Sequence, residues 1–349
     1  MIQITNIGIT SKIIDFIAKN GNTTAGKIQK YLKDVPRPSL SRHLKEMKGH
    51  HIIAQIGVGR SATYELFKSG IKSYPFDLSL YDNPYPTSLP IHFNHQRFDS
   101  AVPLFTKEER ATLDKVNTLY RAWNTQTEKE YKDIAFERCA IEFSWKSSTI
   151  EGNTYTLLET ENLIKNKEEA HGKAHDEAVM ILNQKYVFDL IYKDTHFTNT
   201  SSATLIDIHT LLVKDLGIPQ GLRKGNVGIT GTQYLPLRVP SQLHEALEAL
   251  SRLLTKVEDP LEKAIIALAS IAYIQPFADG NKRASRHFAN LILHTHGLPP
   301  VAWRTVSEIE YKKAMIAFYE LGNIGPIKKM WVWHYEETVK TFFGTEASS

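Results

Sequence analysis

The chain has 349 residues, 42% hydrophobic and 23% charged, the composition of an ordinary globular protein too long for one small domain. Its single cysteine, Cys139, excludes an internal disulfide framework and fits a reducing compartment. Lys12 and Asp15 interrupt the apolar N-terminus, so it reads as neither a signal peptide nor a membrane span, and a cytoplasmic location is expected. The net charge of +4 is unevenly shared: residues 1–70 hold eleven Lys and Arg against four Asp and Glu, which points to an acidic partner for that segment alone.

In chain order, Ser11 to Asn20 reads as a helix with Ile13, Ile14 and Ile17 inward, and Thr23/Thr24 cap a second helix through Leu32. A third, Ser39 to Lys48, has Leu40, Leu44 and Met47 at helical spacing. Ile52 to Ile56 and Thr63 to Leu66 alternate like strands around Gly57-Val-Gly-Arg60. Three helices and a hairpin over residues 1–70 resemble a winged helix-turn-helix domain. That resemblance implies duplex DNA as a partner, contacted by Ser41, Arg42, Lys45 and, at the wing tip, Arg60. A winged helix used only for protein contact, its lysines merely solvated, is the competing reading.

Residues 71–104, rich in Pro, Tyr, Asn and Ser, read as an extended linker that includes Asn83-Pro-Tyr-Pro86. Thr106-Lys-Glu-Glu109 has the pattern of a capping box opening a long helix. A further helix from Lys129 to Ile150 runs into Ser147-Ser-Thr-Ile-Glu151-Gly-Asn153. Val227 to Tyr234 reads as a hairpin from the Val227/Ile229 alternation and a turn at Gly231. Asp259-Pro260 opens an apolar helix, and a second helical segment ends at Gly297. Glu308–Tyr319 and Pro326–Thr341 read as the last helices, and residues 344–349 as a disordered tail.

The two helices on either side of Gln275-Pro-Phe-Ala-Asp-Gly-Asn-Lys-Arg-Ala-Ser-Arg286 frame the most informative stretch. Glycine at 280 permits a tight loop and close approach of a ligand, and a loop ending at a helix N-terminus offers unpaired N–H groups to phosphate. Arg283 and Arg286 share a helix face with Asn290 one turn further, while Ala284, Phe288, Leu291 and Ile292 are expected to pack inward. Two guanidiniums beside a bare helix start suit a polyphosphate, and Asp279 could hold the accompanying Mg²⁺.

This run resembles the signature of the Fic family, His-Pro-Phe-x-Asp/Glu-Gly-Asn-Gly/Lys-Arg-x-x-Arg, except that Gln275 stands in place of the histidine. The resemblance implies a mainly α protein: a helical Fic-type core over 105–343 with a β-hairpin flap, preceded by the small winged-helix domain. It implies transfer of AMP from ATP, with Mg²⁺, to a hydroxyl side chain of a target protein. Asp279 would bind the metal, and Gly280, Asn281, Lys282, Arg283 and Arg286 would hold the phosphates. Ser147 and Glu151 look like the family's inhibitory motif, with Arg286 as partner of Glu151. Val227, Ile229 and Gly231 would belong to the flap that registers the target. Lys282, where many relatives have Gly, leaves the kind of transfer open. Gln275 replaces the general base, and a carboxamide has no usable basicity. The chain as it stands is therefore expected to be an adenylyltransferase that has lost its base, or else a binding-only relative: an ATP-binding, DNA-binding regulator without transferase activity. Whether two copies pair as a homodimer is left open.

Overall fold

A computed structural model describes residues 7–81, 91–101, 103–193 and 196–344; Asn83-Pro-Tyr-Pro86 and Thr345 to Ser349 fall outside these. The chain divides into two compact units. The first holds Met1–Leu104, Gly228–Leu235 and Lys312–Pro326; the second holds Phe105–Val227, Pro236–Tyr311 and Ile327–Ser349. Among the described residues, no helix is long and apolar enough to cross a membrane.

In the first unit, α1 (Ile7–Asn20), α2 (Ala25–Tyr31) and α3 (Arg37–Gly49) surround a small core that includes Ile13, Ile14, Ile17, Leu40, Leu44 and Met47. Thr24 caps α2, its hydroxyl accepting from Lys27 N–H. α3 begins two residues earlier than the sequence suggests, because Pro is favourable in the first helical turn, where an N–H would have no partner. β1 (Thr23–Thr24), β2 (Ile53–Ile56) and β3 (Thr63–Leu66) form an antiparallel sheet of order β1-β3-β2. Two residues are too short to show an alternation, so β1 has no signature of its own in the sequence.

The described residues of the stretch expected as a linker belong to this unit. Ile71 bridges to Ala101, and β4 (Ile91–His92) pairs in parallel with β5 (Tyr234–Leu235). The buried side chain of Asn323 accepts from Tyr74 N–H and donates to Tyr74 C=O. The hairpin expected over Val227–Tyr234 is present only as a turn at Thr230-Gly231, with Gly231 at φ 87° and no ladder between its arms among the described residues. Gly228 weakens the first arm as a strand. The second arm is already bonded elsewhere, Gln233 and Leu235 carbonyls accepting from Ile91 and Phe93 N–H groups.

The second unit is helical: α4 (Lys107–Gln126), α5 (Lys129–Thr149), α6 (Leu157–Asn166), α7 (His175–Tyr192), α8 (Ser202–Leu212), α9 (Pro240–Lys256), α10 (Pro260–Ile274) and α11 (Asn281–Thr295). α12 (Glu308–Leu321) and α13 (Gly325–Phe342) complete the chain. The capping box at Thr106 forms with both bonds in place, as does one at Thr156 and Glu159 that opens α6. Asp259 caps α10 through two N–H groups. Beyond Lys263, α10 is apolar almost all round and every residue from Ala264 to Ile274 is buried, as a helix without a polar face must be. It packs on α11, which also contacts α5, α7 and α8.

Candidate nucleotide site at the loop between α10 and α11

The loop leaves α10 through Gln275, which adopts a left-handed backbone at φ 51°, and enters α11 through Gly280 at φ 79°. Gly280 makes no side-chain cap, so the first N–H groups of α11 stay open to a ligand. A Cβ at 280 would lie 3.3 Å from Val213 and 3.4 Å from His209, which together with the positive φ explains the glycine.

Asn281 fastens the loop from within. Its amide donates to Gln275 Oε1 at 3.0 Å and to Phe277 C=O at 2.9 Å, while its Oδ1 accepts from Phe277 N–H at 2.9 Å. Gln275 Nε2 donates in turn to Ala272 C=O at 2.6 Å, so both ends of the carboxamide are occupied. Two further residues, unmarked in the sequence, grip the loop backbone. Arg223 donates through Nε to Gln275 C=O at 2.6 Å and through its backbone N–H to Pro276 C=O at 3.0 Å, and its Nη atoms donate to the Gly225 and Leu237 carbonyls. His209, on α8, stacks on the buried Phe277 ring at 3.7 Å and donates from Nε2 to Asp279 C=O at 2.9 Å. Burial lowers its pKa to about 4, so it works as a neutral donor.

The expectation of an amphipathic α11 needs correction. Nearly every residue from Asn281 to Leu293 is buried, Arg283 and Arg286 included, because other helices cover the helix on several sides. Asn290 does not join the cationic group: its Oδ1 accepts from Val301 N–H at 2.9 Å and holds the chain beyond the helix. The two arginines have separate anchors. Arg283 pairs with Asp279 at 3.0 Å, an aspartate whose side chain is 67% exposed at the loop tip. Arg286 donates to the hydroxyl and carbonyl of Ser147 at 2.8 and 2.9 Å and to Glu151 at 2.9 Å, its guanidinium lying over the Tyr311 ring. The geometry thus brings Ser147, Glu151 and Arg286 together, and adds a contact the sequence did not announce: Lys282 Nζ lies 2.8 Å from the other oxygen of Glu151. Among the described residues, the buried nitrogens Arg283 Nε and Nη1 have no hydrogen-bond partner.

Glu151 sits just past the end of α5, where the chain turns at Gly152 with φ 101°. Burial alone would raise its pKa, but Arg286 and Lys282 outweigh that and hold it near 2, below the ordinary 4.5. Among the described residues, no three His, Cys, Asp or Glu side chains could hold a metal by themselves. An exposed Asp279 fits Mg²⁺ arriving with phosphates, because that ion is commonly bound by one or two carboxylates plus substrate oxygens. Elsewhere, Ser41, Arg42 and Lys45 are exposed on α3. The side chain of Arg60 lies outside the described residues.

Residues 199–293, which include this loop and His209, match the Fic/DOC family. The chain therefore carries a Fic-type domain. It is 24% identical over 253 residues to protein adenylyltransferase fic-1 of Caenorhabditis elegans, a match covering 71% of this chain and 50% of the relative. With protein adenylyltransferase Fic of Nematostella vectensis it shares 31% over 236 residues, 62% of this chain and 52% of the relative. The chain spans about half the length of these curated relatives. In fold it is similar to Fic-1 (residues 134–508) of C. elegans, with a TM-score of 0.54 and 20% identity over 67% of this chain and 71% of that one. It is also similar to a Fic family protein of Desulfovibrio desulfuricans, with a TM-score of 0.57 and 18% identity over 68% and 74%.

Proposed function

We propose that this chain is an adenylyltransferase scaffold that binds ATP with Mg²⁺ at the loop between α10 and α11, is held closed by Glu151, and lacks the base for transfer. The observation that carries the reading is the pair of buried arginines beside the uncapped start of α11, with Arg283 Nε and Nη1 unpartnered among the described residues. Burying a guanidinium without full partners is unfavourable unless an anion completes it. The metal, held at Asp279, would add positive charge next to the phosphates.

In the transfer step a target hydroxyl oxygen attacks the α-phosphorus, the bond to the pyrophosphate oxygen breaks, and the hydroxyl proton must go to a base. Gln275 stands where the signature of the Fic family has histidine. It is not basic, and its oxygen already accepts from Asn281. Similarity to protein adenylyltransferases supports protein as the acceptor. Replacement of Arg283 by alanine is expected to weaken ATP binding by about tenfold or more, read by calorimetry. Unchanged affinity in a folded variant would remove the reading.

A second reading, a nucleotide-responsive regulator without transfer, is favoured by α3. Its outer face exposes Arg37, Ser41, Arg42, Lys45 and Lys48 in the basic first segment. We read residues 1–70 as a winged helix whose α3 meets a duplex. Binding of the full chain to duplex DNA should fall steeply with salt, and an R42A/K45A variant should reduce the slope by roughly two. A flat salt response, or no shift on DNA, would exclude the duplex.

A further inference from the structure

The first unit holds a cleft of about 470 Å³, a size that suits a ligand. Ile17 of α1, Leu66 and Phe67 at the end of β3, His92 of β4, and Glu320 and Leu321 at the end of α12 form much of its wall. Among its charged groups, Lys68 pairs with Glu65 at 3.7 Å, and the buried Arg97 donates to the Phe318 and Glu320 carbonyls in the last turn of α12. The carboxylate of Glu320 is held differently. Its Oε1 accepts from the Thr232 hydroxyl at 2.5 Å, but among the described residues it takes part in no ion pair. Burial raises its pKa by more than Thr232, the Gln233 N–H and Arg97 lower it, and Asp15 adds to the rise.

Two strand edges reach the same wall. Phe67 N–H bonds to Ile52 C=O, next to β2, so Leu66, one residue earlier, turns its N–H and C=O the other way. On that side the pairing of β1 has already stopped at Thr23 and Tyr64. The N–H groups of Ile91 and Phe93 bond toward β5, so the backbone groups of His92 face away from it. Among the described residues, neither Leu66 nor His92 has a backbone hydrogen bond on its outward side. An open edge takes an extended chain, and an unpaired carboxylate takes a cation. Residues 1–6, 82–90, 102, 194–195 and 345–349, which lie outside the described ones, contain no lysine or arginine, so they offer no such side chain.

We propose that this cleft docks an extended, basic peptide segment of a partner protein, its backbone bonded to the free edges at Leu66 and His92 and an arginine or lysine side chain placed on Glu320. The stem of that side chain would rest on Ile17, Phe67 and Leu321, which supply the apolar part of the wall. Such docking is independent of what the loop between α10 and α11 binds.

Fluorescence anisotropy on the full chain tests this with a labelled, end-blocked pentapeptide of alternating threonine and valine around a central arginine. Its citrulline counterpart, a version N-methylated on either side of the arginine, and free agmatine as competitor complete the set. The arginine peptide is expected to bind about tenfold more tightly than the citrulline one, which has the same shape without the charge. Glu320→Gln, which keeps an acceptor for Thr232, should erase that difference. N-methylation should weaken binding by a similar factor, because it removes backbone donors. Equal binding of the arginine and citrulline peptides, or a preference that survives Glu320→Gln, would overturn the role of the carboxylate. Unchanged affinity of the N-methylated peptide would overturn the strand pairing. Agmatine that competes as tightly as the peptide binds would overturn the peptide in favour of a free organic cation. No binding of the arginine peptide by the folded chain would overturn the site altogether.

Discussion

The chain carrying Gln275→His together with Glu151→Gly is expected to transfer AMP from labelled ATP to protein roughly 10²- to 10⁴-fold faster than the chain carrying Glu151→Gly alone, the usual contribution of a positioned base. An imidazole titrates near neutrality and can take the hydroxyl proton as the P–O bond forms, whereas the amide cannot. The backbone is ready for the exchange. Position 275 holds a left-handed conformation that histidine adopts more readily than most residues, and that conformation is fastened by Arg223 and Asn281 through loop carbonyls. Glu151→Gly is included because the carboxylate occupies Arg286 and Lys282, the cations a triphosphate would engage. Persistent silence of the double variant, with ATP bound tightly, would leave the regulator as the surviving reading.

Arg286→Met is expected to destabilise the fold by roughly 3–5 kcal/mol, the range for breaking one side of a buried ion pair. Ser147 would lose its donor, and the half-buried carboxylate of Glu151 would keep only Lys282. Urea unfolding measures the loss. Adding Glu151→Leu should recover much of it, since an apolar pair of similar size is often neutral or better. The acid limb carries the same information. The carboxyl of Glu151 is held near 2, below its ordinary 4.5, so its stabilising contribution is complete above about pH 4.5 and fades as pH falls toward 2. Glu151→Gln should flatten that limb. An unaltered acid profile would show that the ion pair contributes little.

The loop was legible because its chemistry is local: a glycine that must turn, two arginines three apart, and a helix start follow within twelve residues. Helix ends marked by side-chain caps, such as Thr106 and Asp259, could be read for the same reason. The capping box at Thr156 and Glu159 was equally available and would have located α6. What could not be read is what approaches from far along the chain. Lys282 meets Glu151 across 131 residues, and Arg223 meets Gln275 across 52, with nothing in either local sequence to announce the contact. His209 looks like any histidine on an apolar helix face until Phe277 is found stacked on its ring. The basic face assigned to α11 failed for a related reason. Periodicity shows which residues share a side, but not how many neighbours crowd the helix. The hairpin failed differently: a turn signal at Gly231 does not specify which strand the following residues will join.

Arg223 carries an implication beyond this chain. It holds the carbonyls of Gln275 and Pro276, so this part of the loop backbone has an anchor besides the bonds that the Gln275 carboxamide makes to Asn281 and Ala272. Glutamine and histidine codons differ only in their third base. On the adenylyltransferase reading, a lineage with this architecture would lose and regain chemistry through single nucleotide changes, without refolding its core on the way.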